Sequence, residues 1–252
     1  MSNTPYRFGM TGTLDGAEVH ELVLEGLFGP IEKVVDTSTL IDDKNLADLK
    51  IKILVLSHPK ELRKDVLAGD YQNELEAIVT SEARNRFIMN LALSLTGNTL
   101  ILYALVEKHG KQLFRIIDQA TDQNVFFVSG GVEAQERERV RQIVEETDNS
   151  IIVASYGTFS TGINIKNLHN VIFASPTKSR IRTLQSIGRG LRTSDTKSSC
   201  TLFDIADDFS TKNRKNYTLN HLMERVKMYN SEAFPYKLYN IKLRTTDESV
   251  LF

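Results

Sequence analysis

The segment Gln185-Ser186-Ile187-Gly188-Arg189-Gly190-Leu191-Arg192 sets a glutamine and two arginines at helical spacing. Arg189 and Arg192 stand three residues apart, which on a helix puts both guanidiniums on one face. A guanidinium stays charged at every relevant pH, and its rigid fork of donors matches phosphate oxygens. The pair is therefore suited to stabilising charge on a phosphoryl group. Two earlier segments carry compatible chemistry. In Ser129-Gly130-Gly131 a hydroxyl and two glycines would let a backbone approach a phosphate closely. Ser155-Tyr156-Gly157-Thr158-Phe159-Ser160-Thr161-Gly162-Ile163-Asn164 is crowded with hydroxyls and glycines, as a loop between a nucleic-acid backbone and a ribose would be.

Taken singly, each segment is ordinary. Glycine pairs are routine in turns, polar loops are common surface, and a basic helix face is usually solvated. The specific signal is the combination: Gly162-Ile163-Asn164 lies about twenty residues before Gln185-x-x-Gly188-Arg189-x-x-Arg192, with one apolar run between them.

The elements that must position these residues can be read from hydrophobic patterning. Apolar runs at Thr99-Leu100-Ile101-Leu102-Tyr103, Val125-Phe126-Phe127-Val128, Ile151-Ile152-Val153-Ala154, Val171-Ile172-Phe173-Ala174 and Thr201-Leu202-Phe203-Asp204 alternate with helical patterns over 107–121, 133–146 and 179–191. Continuous apolar strands separated by amphipathic helices predict an α/β fold, a doubly wound and mainly parallel sheet covered on both faces. Ligands of such sheets bind beyond the carboxyl ends of the strands, where all three segments fall. The first part of the chain is less regular: 5–13, a helix at 17–27, strands at 32–36 and 51–56, a polar linker over 63–73, then a helix over 74–96. After Asp208 come the basic cluster Lys212, Arg214 and Lys215, a helix to about Tyr229 and a last strand at 236–243.

Composition narrows the class. The 252 residues include 31 basic and 32 acidic side chains, so any nucleic-acid surface must come from local clustering rather than total charge. Hydrophobic residues make up 41% of the chain, enough for an ordinary core. Cys200 is the only cysteine, which excludes an internal disulfide. The five histidines lack ligand spacing, so no metal site is expected. Asp42-Asp43 and Asp207-Asp208 read as solvated or helix-capping pairs. There is no basic segment followed by an apolar core at the start, and no apolar run approaches ~18 residues. A cytoplasmic protein with no membrane partner is expected.

The motifs resemble those of the superfamily 2 helicases and translocases. Thr11-Gly12-Thr13 is similar to their motif III, residues 99–103 to the motif IV strand, Gly162-Ile163-Asn164 to motif V and residues 185–192 to motif VI. Phe126-Phe127-Val128-Ser129-Gly130-Gly131 resembles the element that contacts the tracking strand. Tyr6-Arg7-Phe8-Gly9-Met10-Thr11-Gly12-Thr13-Leu14 and Leu24-Glu25-Gly26-Leu27-Phe28-Gly29-Pro30 are similar to the XPB and type III restriction branch, which includes phage recombination helicases.

That resemblance implies two RecA-like motor domains with ATP in the cleft between them, the first supplying a P-loop lysine and an acidic Mg²⁺ motif, the second supplying arginines. It implies catalytic roles for Arg189, Arg192 and Gln185, nucleotide contacts for Gly162, Asn164 and Gly188, contacts to single-stranded or branched DNA for Ser129, Gly130, Ser155 and Tyr156, and interdomain coupling by Thr11, Gly12 and Thr13. These residues contain no Gly-x-x-x-x-Gly-Lys-[Ser/Thr] and no Asp-Glu-x-His or Asp-Glu-Ala-Asp element. The expected division is a remnant of motor domain one with a linker over 1–80, motor domain two over 81–210 and a helix-strand extension over 211–252. ATP and Mg²⁺ would be held mainly by an N-terminal motor half, supplied in cis or in trans, with Met1 an internal start or a truncation, and the chain alone would be inactive. Two rivals share these motifs: a translocase subunit of the restriction or remodelling type that does not unwind, and a non-enzymatic α/β module that binds nucleic acid or a partner.

Overall fold

A computed structural model describes residues 6–10, 18–32, 47–162, 165–179, 183–184, 186–188, 199–211 and 214–243. Its centre is a seven-stranded sheet built from β1 (Asp48–Ser57), β2 (Thr99–Tyr103), β3 (Val125–Val128), β4 (Ile151–Ser155), β5 (Asn170–Phe173), β6 (Ser199–Asp208) and β7 (Tyr236–Lys242). The order is β3-β4-β2-β5-β6-β1-β7 and every pairing is parallel. All carboxyl ends therefore meet along one edge. The interior strand β2, third in the order, is buried at every position, as a strand covered on both faces requires. In β1 the pattern changes along its length: Asp48, Lys50 and Lys52 are exposed between buried Leu49, Ile51 and Ile53, and then Leu54, Val55 and Leu56 are all buried. Its first half is covered on one face only.

Helices form the two outer layers. On one face, α4 (Glu82–Ser94) and α5 (Lys111–Asp118) set Phe87, Ile88, Leu91, Leu113 and Ile117 against Leu56, Ile101, Ile172 and Ile205. On the other, α6 (Ala134–Glu146), α7 (Tyr156–Gly162) and α8 (Tyr217–Ser231) set Val140, Val144, Phe159, Leu222 and Met228 against Ile51, Leu100, Ile152 and Leu202. Burying each such side chain is worth ~1.5–3 kcal/mol. A smaller cluster joins α2 (Lys60–Ala68) and α3 (Tyr71–Thr80) to the end of β6 through Val66, Ile78, Val79 and Phe209. Asp70 and Asn73 form a reciprocal capping box at the start of α3, and Ser81 caps α4.

The doubly wound α/β fold expected from the sequence is the one observed, with four local corrections. Residues expected to form a linker over 63–73 are helical, because Val66 on α2 and Leu75 on α3 find a shared apolar cluster with Phe209. The helix expected over 74–96 is two helices, broken where Ser81 takes an extended conformation to cap α4. The helix expected over 107–121 starts as a π-turn over Val106–Gly110. The expected domain boundaries at 80 and 210 cut through one sheet: β1 pairs with β6 along all of its length and with β7 on its other side. The helix α1 (Glu18–Phe28) forms as expected. The strand expected at 32–36 falls largely outside the described residues. No helix among those residues is long and apolar enough to cross a membrane.

Candidate functional site

Because every strand is parallel, the loops after β3 and β4 share one edge, and the structure brings them together there. Ser129-Gly130-Gly131-Val132 is a turn closed by the Val132 N–H donating to the Ser129 carbonyl at 3.1 Å. A Cβ added to Gly130 would stand 3.9 Å from the Thr158 hydroxyl of α7, and one added to Gly131 would have nothing within 4 Å. The turn thus lies beside the start of α7 and leaves room next to its backbone.

Residues 155–162, expected as a loop, are the end of β4 followed by α7. Ser155 acts as the cap: its Oγ accepts the Thr158 N–H at 3.2 Å and lies 2.7 Å from Thr158 Oγ1. Tyr156 is 3% exposed, its hydroxyl donates to the Ser175 carbonyl at 3.0 Å, and its ring meets Phe173 edge-on. A DNA contact through the Tyr156 side chain is therefore corrected to a core role, since the first residue of α7 faces the sheet. Gly162 ends α7.

After β5, the described residues 183–184 and 186–188 are helical. The Thr183 hydroxyl donates to the Ser179 carbonyl, Thr183, Ser186 and Ile187 are buried, and Leu184 packs on the core. Gly188 is exposed, with open space around it. Thr11, Gly12, Thr13, Asn164, Gln185, Arg189 and Arg192 lie outside the described residues.

A buried polar frame that sequence reasoning missed holds this edge in place. Asp204 and Asp207 of β6 face opposite sides of the sheet. On the α8 side Arg225 grips both oxygens of Asp204 at 2.7–3.1 Å and donates to the Thr177 carbonyl at 2.7 Å, while the Tyr229 hydroxyl donates to Asp204 at 2.8 Å. Arg225 thereby ties the segment leaving β5 to α8. Burial opposes the Arg225 charge, but the Asp204 carboxylate outweighs it and raises the guanidinium pKa further. On the α4 side Asp207 takes Arg84 Nε at 2.8 and 3.0 Å and His58 Nε2 at 2.8 Å, with the His58 ring stacked on Phe209. Burial pushes the Asp207 carboxyl up, yet Arg84 and His58 together bring it below its usual value. The expectation that Asp207 is solvated or helix-capping is corrected: it sits at an inward position of the buried stretch 202–207 of β6.

His109 continues the frame, with Nδ1 2.9 Å from Ser175 Oγ and Nε2 3.1 Å from Asn85 Oδ1. Burial, reinforced by the Arg84 charge, pushes its pKa down to about 3, so the ring is neutral. A fourth buried group, Glu74, caps α8 from α3: it accepts the N–H groups of Tyr217 and Thr218 at 2.9 and 2.7 Å, the Thr218 hydroxyl at 2.6 Å and Asn216 Nδ2 at 2.8 Å. The available signal was the pair of aspartates embedded in the apolar run Leu202-Phe203-Asp204-Ile205-Ala206-Asp207, since a charge inside a buried strand must have a partner. Among the described residues no group of three or more His, Cys, Asp or Glu side chains could hold a metal ion. With Asp204 and Asp207 both held by arginines, these residues do not fit a Mg²⁺ ion.

Residues 83–194 match the helicase conserved C-terminal domain. The chain is 35% identical over 256 aligned residues to the ATP-dependent DNA helicase uvsW of Enterobacteria phage T4, an alignment that covers 96% of this chain and 51% of the phage protein. It spans about half the length of that relative. The crystal structure of T4 UvsW superposes with a TM-score of 0.68 at 33% identity, over 87% of this chain and 45% of that one. The C-terminal domain of the DEAD-box protein Dbp5, at 16% identity, shares the fold with a TM-score of 0.51 over 76% of this chain and 90% of its own. Sheet order and these similarities agree, and the chain carries the helicase conserved C-terminal domain in the RecA-like fold of helicase C-terminal domains.

Proposed function

We propose that this chain is the C-terminal motor half of an ATP-dependent DNA helicase or translocase acting on single-stranded or branched DNA. The observation that carries the reading is the meeting of the Ser129-Gly130 turn with the Ser155-capped start of α7 on the carboxyl edge, on the sheet whose next connection carries residues 185–192. In this reading Arg189 and Arg192 stabilise charge developing on the transferred phosphoryl group and Gln185 positions an arginine or the attacking water. Gly162 and Asn164 lie near the ribose, with Gly188 leaving space for the nucleotide. Backbone N–H groups at Ser129 and Gly130, with the Ser155 hydroxyl, hold phosphates of the tracking strand, so little sequence specificity follows. Residues ahead of β1, with Thr11, Gly12 and Thr13, couple to the first motor domain, and the sheet from β1 to β7 forms the second. ATP supplies the phosphoryl group, and with Mg²⁺ it is bound mainly by the P-loop half.

The test joins a P-loop motor domain ahead of this chain and measures ATP turnover with and without DNA. DNA-stimulated turnover is expected, with Arg189→Ala and Arg192→Ala each lowering kcat by about 10³-fold while circular dichroism stays unchanged. Robust DNA-dependent ATPase from the 252-residue chain alone would overturn the reading.

A further inference from the structure

The loop after β6 and the start of α8 build a second feature on the same edge, and α8 covers the same face of the sheet as α6 and α7. Tyr217 is the first residue of α8 and 41% exposed. Its backbone is immobilised: Glu74 accepts its N–H at 2.9 Å and fixes the next residue through both its N–H and its hydroxyl. Arg214 is anchored as well, donating to the Leu67 carbonyl at 2.7 Å and placing its guanidinium 5.8 Å from the Tyr217 ring centroid. Tyr71 meets the same ring edge-on at 6.2 Å.

The Tyr217 ring is held from behind by these contacts rather than folded into the core. Fixed aromatic rings beside cations are how sequence-tolerant proteins stack the bases of a single strand while attracting its phosphates. We propose that Tyr217, flanked by Arg214 and Lys215, is a stacking platform for one base of a single-stranded nucleic acid. Two observations favour nucleic acid over a protein partner. Arg214 and Lys215 are exposed, whereas Glu74, the acidic group that caps this helix, is buried with its oxygens satisfied by four donors. The platform also follows the carboxyl end of β6, on the same sheet edge as the Ser129 and Ser155 loops, with β4 and β6 three strand spacings apart, about 14 Å. The inference rests on the reading that this edge faces a nucleic-acid strand.

The test is equilibrium binding of the full 252-residue chain, by fluorescence anisotropy, to oligo(dT) of about twelve nucleotides and to an abasic strand of the same length. Tyr217→Ala should weaken oligo(dT) binding about tenfold and leave abasic binding unchanged, and Tyr217→Phe should stay within about twofold of the parent. Tyr217→Leu, which keeps apolar bulk against Tyr71 without a ring, should reproduce the alanine loss, and normal oligo(dT) binding by this variant would overturn the platform. Equal losses on both strands, no loss on either, or no binding of either strand by the parent chain would each overturn the platform. So would a Tyr217→Ala variant that binds oligo(dT) normally but associates poorly with a P-loop motor domain, which would make the ring a protein contact. The motor reading is judged separately, by ATP turnover of the joined enzyme.

Discussion

Asp204 and Asp207 sit three residues apart on one strand, both buried and both held by an arginine, yet the two sites differ in how completely they are satisfied. Around Asp204 every part of the Arg225 fork has an acceptor, and Tyr229 fills the remaining carboxylate position. Around Asp207 only Nε of Arg84 is used, and its two terminal nitrogens are buried without a hydrogen-bond partner. Desolvating two charges costs several kcal/mol each, and the attraction between them repays this only where the remaining donors and acceptors are filled. The Asp204 site is therefore an anchor for the segment leaving β5, and the Asp207 site, next to the end of β1, is the less completely satisfied of the two.

Four measurements sharpen or break that contrast. The largest effect is expected for Arg225→Met, which leaves Asp204 charged and the Thr177 carbonyl unpaired: a loss of about 3–5 kcal/mol in urea unfolding. Arg84→Met should cost less, about 2–3 kcal/mol, because two of its donors had no acceptor to lose. Adding Asp207→Leu to Arg84→Met should recover most of that loss, leaving only His58 short of a partner. Adding Asp204→Leu to Arg225→Met should recover little, since Tyr229 and Thr177 stay unpaired. Equal recovery at both sites would remove the distinction.

The third measurement is stability against pH. His109 and Asp207 both have folded pKa values below their unfolded ones, so in each case the unfolded chain binds the extra proton. Their contributions are present above the unfolded values and are lost as pH falls: that of His109 from about 6.5 down toward about 3, that of Asp207 below 3.8. Unfolding free energy should fall by up to about 1.4 kcal/mol per pH unit across the His109 window. His109→Gln should flatten that slope, and an unchanged slope would show that His109 is not the responsible group. The smallest effect is expected at the surface: Lys108 and Glu76 are 2.6 Å apart but both more than half exposed, so Lys108→Ala should change stability by less than about 0.5 kcal/mol.

Much of the fold was legible because burial on both faces leaves a continuous apolar run. Residues 99–103, 125–128 and 151–154 were read as strands and form β2, β3 and β4. The helical conformation over 63–73 has a physical reason that the sequence hides: α2 is too polar to declare itself, and its helix is stabilised by a cluster one of whose members, Phe209, is distant in sequence. The same limit applies to the site. Ser129 and Gly130 were recognisable by residue type, and the structure adds their approach to Thr158. Tyr156 was misread because hydroxyl-bearing residues in a glycine-rich stretch suggest solvent, whereas its position after β4 turns the ring inward. Tyr217 carried no signal at all, since its significance depends on Glu74, Arg214 and Tyr71 from separate elements.

By itself the sequence determined the parallel α/β class, the order of the motifs and the chemistry available to them, because strand runs, glycines and arginine spacing are local properties of the chain. Only the tertiary structure decided that β1 and β7 complete one sheet, that the β3 and β4 loops meet, and that two aspartates of a single strand face opposite arginines. Those outcomes depend on which distant residues share a low-dielectric space, where an unpaired charge is too costly to persist and each one must find its partner across the fold.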